Sequence, residues 1–269
     1  MPKRVTVQYS LGTEREFVKN LCEQEHTFKI ERTNYSLKVK TERRNYVFRN
    51  PDGGTNRSFL ANKMIQRDIR ERGLATPDVT ARDVQYFWFS AGNNYPSEFY
   101  SIDINSAYPT VLKKVGAISD DTYEYLTTKI SKVDRLRCVG MLATNKTVYD
   151  YVDGNLKTVG SDVSPLSGWF FLCCLLTGEI MQEVLRRYPE QSLYFWVDGI
   201  AVRSDEADIL NFVESLGYPC KLEHITECVK SDYSLKFLKD GKQKCLALPQ
   251  QVAITNEEIL QFMGYGGLG

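Results

Sequence analysis

Alternation of apolar and polar residues predicts β-strands in two parts of the chain. In the N-terminal part, three such segments follow one another closely, which is typical of a small sheet. Further along, a short alternating segment and two segments rich in apolar and β-branched residues predict a second set of strands. The predicted strands are 27–31, 35–41, 45–49, 99–102, 192–197 and 220–229.

Apolar residues at helical spacing predict three longer helices. One begins at Ser58, a typical N-cap residue, and ends at Arg72 before a glycine. Another covers 166–188, and its residues 169–176 are apolar all round. Because this apolar run is shorter than the about 20 residues that span a bilayer, it indicates a buried helix under a sheet. The third helix is amphipathic and follows 205–206.

The order of these elements predicts an α+β fold. Strand, helix, helix, hairpin, helix and strand follow one another in the second half, as expected of an antiparallel sheet with helices on one face. The first half predicts a smaller α+β region of its own.

Two carboxylates stand at the ends of predicted strands. Asp103 follows strand 99–102, and Asp198 with Gly199 forms a preferred pair for a two-residue hairpin loop. A strand end that faces a hairpin tip can bring two carboxylates together, and such a pair holds the divalent metals of phosphoryl transfer. Taken singly, an Asp-Gly pair is more often only a turn, and an Asp at a strand end is more often a helix cap.

Both segments resemble palm motifs of family B DNA polymerases. The segment from Asp103, Asp-Ile-Asn-Ser-Ala-Tyr-Pro, resembles D-x-x-S-L-Y-P and differs at one position. The segment 194–199 resembles the Y-x-D-T-D-S hairpin, with Trp196 in place of the first aspartate and Gly199 in place of the serine. The two aspartates stand in the family's order, 95 residues apart. The chain is thus similar to a minimal, palm-containing polymerase such as phages and mobile elements encode.

The resemblance implies transfer of deoxynucleotides to a primer end with two Mg²⁺ or Mn²⁺ ions as cofactors. Asp103, Asp198 and the backbone carbonyl of Ile104 would bind the ions. The start of the following helix would bind the nucleotide, through Ser106, Ala107 and Tyr108. In this scheme Tyr108 lies beneath the sugar and selects deoxynucleotides. The alternative for Tyr108 is an ordinary core aromatic residue.

Basic residues extend the implied site. A weak match to the finger helix K-x-x-x-N-S-x-Y-G implies contacts with the triphosphate from Lys132, Arg135 and Arg137, although a solvated charged face explains them equally well. A later segment resembles the K-K-R-Y stretch, in which a turn at Asp240-Gly241 is expected. The residues implied in primer and DNA binding are Tyr194, Lys242 and Lys244. Lysines on an exposed edge strand also prevent aggregation, which leaves both roles open for the two lysines.

Charge and length suggest three regions. Residues 1–80 carry 16 Lys and Arg against 10 Asp and Glu, a net charge of +6, although the whole chain is neutral. We expect a basic N-terminal α+β region over 1–95, a palm-like catalytic domain over 96–250 with a reduced fingers insertion at about 115–163, and a C-terminal helix and mobile tail over 251–269. Such a chain would lack a proofreading exonuclease and a full thumb, so a replication partner protein is a further expectation.

Seven cysteines without a C-x-x-C spacing and only two histidines argue against a zinc site or a disulfide framework. The N-terminus lacks a signal-peptide core, so we expect a cytoplasmic protein without a membrane partner, in the host cytoplasm if phage-encoded. Three functions stay open. The first is a template-directed DNA polymerase that uses dNTPs and a DNA primer-template; the second is a weak or inactive polymerase-like DNA-binding accessory protein; the third is a two-metal nuclease.

Overall fold

The structure, a computed structural model, has a mixed α+β fold with two sheets. It describes residues 3–8, 13–33, 36–49, 56–90, 95–231, 234–239 and 241–247. The predicted C-terminal helix and tail over 251–269, and Asp240 of the expected turn, lie outside the described residues.

The described residues form both strands and helices, with the strands mostly in consecutive pairs or triplets. The strands are β1 Lys3–Gln8, β2 Phe28–Arg32, β3 Ser36–Thr41, β4 Arg44–Arg49, β5 Phe87–Phe89, β6 Phe99–Ile104, β7 Lys146–Val152, β8 Asn155–Asp162, β9 Ser192–Trp196, β10 Gly199–Val202, β11 Cys220–Lys230, β12 Ser234–Lys239 and β13 Lys242–Ala247. The α-helices are α1 Thr13–Glu23, α2 Asn56–Glu71, α3 Ala107–Lys114, α4 Asp120–Glu124, α5 Lys132–Gly140, α6 Ser167–Arg187 and α7 Glu206–Ser215.

The chain forms two compact units. The first comprises Met1–Thr76 and Glu124–Gly168, and the second comprises Pro77–Tyr123 and most of the chain from Trp169 onward. This division differs from the three regions expected from the sequence. The hairpin β7–β8, which lies in the predicted fingers insertion, pairs with β2 of the N-terminal sheet, and β5 pairs with β9 of the second sheet.

The sheet of the first unit has the strand order β1-β4-β3-β2-β7-β8. The pair β1–β4 is parallel, and the other pairs are antiparallel. Its core is an aromatic cluster around Phe28 and Phe48, which are 3% and 2% exposed, with Phe17 of α1 packed against Phe48. Alternation in β2 places Phe28 and Ile30 inward, as the sequence pattern predicts.

The sheet of the second unit is antiparallel throughout, in the order β13-β12-β11-β6-β10-β9-β5. Strand β6 lies between β10 and β11 and has buried residues over most of its length, including the fully buried Ile102. Helix α7 packs against β11 and β6. The centre of this sheet therefore combines one strand from each of the two motifs that resemble polymerase motifs.

Two element boundaries differ from the predicted ones. Ser58 is not an N-cap: it is the third residue of α2 and fully buried, because it shares one helix face with the buried Ala61 and Ile65. The hairpin loop lies one residue earlier than predicted, at Val197 and Asp198, since Gly199 is already the first residue of β10.

Helix α6 is longer than the apolar run from which its burial was predicted, so the argument from length does not hold for the whole helix. Its 21 residues are long and apolar enough to cross a membrane by length and composition. However, 56% of its apolar stretch is buried inside the fold, and the core helix of a globular protein can be equally long and apolar. Burial, not length, is what supports the predicted core helix.

Candidate functional site

The backbones of Asp103 and Asp198 are neighbours in the second sheet. Asp103 pairs with Gly199 across β6 and β10, and the Ile104 N–H donates a hydrogen bond of 2.8 Å to the Asp198 carbonyl. Paired residues of antiparallel strands have Cα atoms roughly 5 Å apart. The fold thus brings two aspartates that are distant in sequence to the same end of two adjacent strands.

Gly199 leaves room for the Asp103 carboxylate. A Cβ atom on residue 199 would lie 2.1 Å from Asp103 Oδ1, a distance that atoms cannot reach. The backbone of Gly199 has no positive φ. The fold therefore requires the absence of a side chain at this position and not the conformational freedom of glycine. This close approach gives a physical reason for glycine at the position where the resembling motif has serine.

The Asp103 side chain is 32% exposed and belongs to a cluster of charged groups. Lys239 Nζ of β12 lies 3.0 Å from Asp103 Oδ2 and also contacts the Glu223 carboxylate of β11. Glu223 is only 7% exposed and accepts a further hydrogen bond from Lys221. Two carboxylates and two ammonium groups therefore balance one another at this point of the sheet.

Burial and ion pairing shift the pKa values of these groups in opposite directions. Burial raises the pKa of Asp103, and Lys239 counteracts part of this shift. Burial alone would also raise the pKa of Glu223, but hydrogen bonds from Lys221 and Lys239 outweigh it and lower that pKa to about 2. Burial would lower the pKa of Lys239, yet its two carboxylate partners produce a net rise. Glu223 and Lys239 are therefore charged near neutral pH.

The Asp198 carboxylate has a different neighbour. It lies within electrostatic range of the Cys174 thiol on α6, whose pKa rises to about 12, mainly through burial and in part through Asp198. The backbones of the two aspartates are neighbours, and the Asp103 carboxylate pairs with Lys239 while the Asp198 carboxylate acts on the Cys174 thiol.

The structure places Tyr108, Ala107 and Tyr194 in the protein interior. Tyr108 is 4% exposed, lies edge-on to Phe170 of α6 and accepts a hydrogen bond from the Cys174 thiol at 3.4 Å. Ala107 is 4% exposed, and Tyr194 is 7% exposed. Buried in this way, Tyr108 presents almost no ring surface to a sugar, and Tyr194 presents little surface to DNA.

Ser106 is the N-cap residue of α3 and has a left-handed backbone conformation, with φ of 53°. Its carbonyl accepts the Thr110 N–H at 3.0 Å, which is the first hydrogen bond of the helix. A phosphate role for this turn stays a prediction.

The predicted basic residues fall in different places. Lys132, Arg135 and Arg137 all lie on α5 in the first unit, whereas Asp103 and Asp198 lie in the second. Arg135 donates hydrogen bonds to the carbonyls of Leu126 and Thr127, so its guanidinium serves the end of the preceding helical turn. Lys242 and Lys244 are exposed on β13, the edge strand of the second sheet.

Sequence reasoning missed Lys239 and Glu223 as members of the site. Both stand in strands where charged and apolar residues alternate, which is also the pattern of a solvated strand face. Only the pairing of β11 with β6 and β12 shows that these two side chains meet Asp103.

The donor atoms fit a magnesium or manganese ion in type. Mg²⁺ is commonly held by one or two carboxylates together with substrate phosphates, and Asp103 and Asp198 supply two hard oxygen ligands. Among the described residues, no group of three or more His, Cys, Asp or Glu side chains is placed to hold a metal ion. A metal at this site would therefore need ligands from the substrate.

Comparison with known proteins adds no family. No protein-family model and no curated protein matches the chain.

Proposed function

We propose that the protein transfers deoxynucleotides to a DNA primer end on a template, with Asp103 and Asp198 as the catalytic carboxylates. The observation that carries the proposal is the register of β6 against β10, which pairs Asp103 with Gly199 and joins Asp198 to Ile104. Two short motifs can match by chance. A chance match would not require the two segments to be adjacent strands, as they are in the fold.

In this proposal Asp103, Asp198 and the Ile104 carbonyl hold the metal ions. Bound Mg²⁺ or Mn²⁺ would neutralise the triphosphate and activate the primer hydroxyl. Gly199 keeps space beside Asp103, and the partly exposed side chain of Asp103 keeps one carboxylate within reach of solvent. Lys239 places a positive charge beside Asp103. Tyr108 is not part of the proposed site, because it is buried.

Primer extension tests this proposal directly. The purified chain is mixed with a labelled primed template, the four deoxynucleotides and Mg²⁺ or Mn²⁺. We expect extension by the parent, and a rate lower by about 100-fold or more for Asp103→Asn and Asp198→Asn, since each loses a metal-binding charge. Asp208→Asn is the matched control, because Asp208 is an exposed aspartate on α7 of the same unit.

The outcomes separate the competing functions. No extension by the parent with either metal, or full activity of Asp198→Asn, contradicts the proposal. Degradation of labelled DNA without nucleotides would instead indicate a nuclease.

A second function has one observation in its favour. Lys239 already pairs with Asp103, which suits a polymerase-like protein that binds DNA without catalysis. Retained DNA binding without extension and without Mn²⁺ binding would select this second function.

A further inference from the structure

We propose that Lys239 is an internal counter-ion that competes with divalent cations for Asp103. The inference rests on the proposed function and names a residue that regulates the same site. In this view Lys239 weakens metal binding by the free protein, and it leaves Asp103 when a cation binds there.

The contacts of Lys239 support a direct competition. Its ammonium nitrogen lies 3.0 Å from Asp103 Oδ2, so it occupies one of the two carboxylate oxygens that a metal would use. Lys239 is only 25% exposed in its side chain, which limits screening of the pair by solvent. A divalent cation bound to the same carboxylate would experience strong repulsion from an ammonium group that stayed in place.

Glu223 gives Lys239 a second partner. Its carboxylate contacts Lys239, its side chain is 5% exposed, and it lies on β11 next to the strand of Asp103. Lys239 can therefore release Asp103 and remain paired inside the sheet. Lys221 also pairs with Glu223, so removing the charge of Lys239 does not leave Glu223 without a cation.

Mn²⁺ binding measured by electron paramagnetic resonance tests the inference without DNA or nucleotide. We expect Lys239→Met to bind Mn²⁺ about tenfold more tightly than the parent, because the competing charge is gone. Lys236→Met is the matched control, since Lys236 is exposed on the same strand and should leave Mn²⁺ affinity unchanged. Lys239→Gln, which keeps a hydrogen-bonding side chain, should change the affinity in the same direction as Lys239→Met.

Two further variants test whether the effect of Lys239 on Mn²⁺ affinity depends on Glu223 and Asp103. Glu223→Gln should weaken Mn²⁺ binding, since Lys239 then has only Asp103 as a carboxylate partner. In the double variant Asp103→Asn with Lys239→Met, the gain should disappear, because the competition acts through Asp103.

The inference is overturned if Lys239→Met and Lys239→Gln bind Mn²⁺ no more tightly than Lys236→Met. Its failure is distinct from that of the proposed function. Primer extension by a protein whose Mn²⁺ affinity does not respond to Lys239 overturns the inference alone, whereas tighter Mn²⁺ binding by Lys239→Met in a protein that never extends a primer overturns the polymerase proposal alone.

Discussion

At the scale of single residues, Gly199 and Asp103 depend on each other. Gly199 leaves the space that the Asp103 carboxylate occupies, and Lys239 holds that carboxylate by an ion pair. The surroundings of Asp103 are thus set by one missing side chain and one opposing charge. Neither feature belongs to the motif that contains Asp103, which is why the motif by itself does not define the site.

Replacing Gly199 with alanine should destabilise the protein by about 1–3 kcal/mol, since the new methyl group forces Asp103 or the backbone to shift. Urea unfolding followed by circular dichroism measures this change. Gly160→Ala on β8 is the matched control, because a Cβ there meets no atom within 4 Å. In an Asp103→Ala background the cost of Gly199→Ala should largely vanish, and an equal cost in both backgrounds would contradict the clash.

At the scale of secondary-structure elements, α6 approaches the chain segment before β5 through Gly178. A Cβ on Gly178 would lie 2.8 Å from the carbonyl oxygen of Gln85, and the Gln182 side chain donates a hydrogen bond of 2.9 Å to the Gln85 side chain. Because this oxygen of Gln85 belongs to the backbone, it cannot move away as a flexible side chain can. The glycine in this helix interior therefore allows α6 to pack closely against the backbone of Gln85.

The variant Gly178→Ala shows whether helix propensity or packing against Gln85 has the larger effect on stability at this position. Alanine in an exposed helix interior is more stable than glycine by about 1 kcal/mol, but here we expect a net loss of stability. Thermal unfolding of the variant measures the sign. Asn211→Ala on the exposed side of α7 is a control for propensity alone and should stabilise slightly. A higher melting temperature for Gly178→Ala would show that the contact with Gln85 relaxes easily.

At the scale of the whole molecule, each compact unit has a sheet and a core of its own. The first unit has its aromatic cluster around Phe48, and the second has fully buried residues on its strands and helices, including Phe195 of β9. The basic N-terminal part contributes four strands, β1 to β4, and the helices α1 and α2 to the first unit. Local stability should therefore differ between the units when only one core is damaged.

Hydrogen exchange tests this separation. Phe48→Ala should cost about 3–5 kcal/mol and reduce amide protection mainly in β2, β3 and β4. Phe195→Ala is the reciprocal variant, because Phe195 is fully buried in the second sheet. It should reduce protection mainly in β6, β9 and β10. Equal losses in both sheets from either variant would show a single cooperative core.

Much of the element order follows from the sequence, whereas the pairing of the elements does not. The strands near 27–49, the helix after Asp205 and the strand from Cys220 are visible because each buries one face, which produces a periodic pattern. The return of β7 and β8 to the N-terminal sheet is not visible. Strand pairing between distant segments depends on contacts that no local pattern encodes.

The sequence by itself determined the fold class, the positions of several strands and of three long helices, and the two aspartates as candidates, because local periodicity and short motifs are properties of neighbouring residues. Only the tertiary structure decided that Asp103 lies against Gly199 and pairs with Lys239, that Glu223 joins them, and that Tyr108 is buried against α6. These facts depend on which strands adjoin β6 and on which helix covers Tyr108. Side-chain surroundings at such a site are set by residues more than 60 positions away, where sequence patterns carry no information about distance.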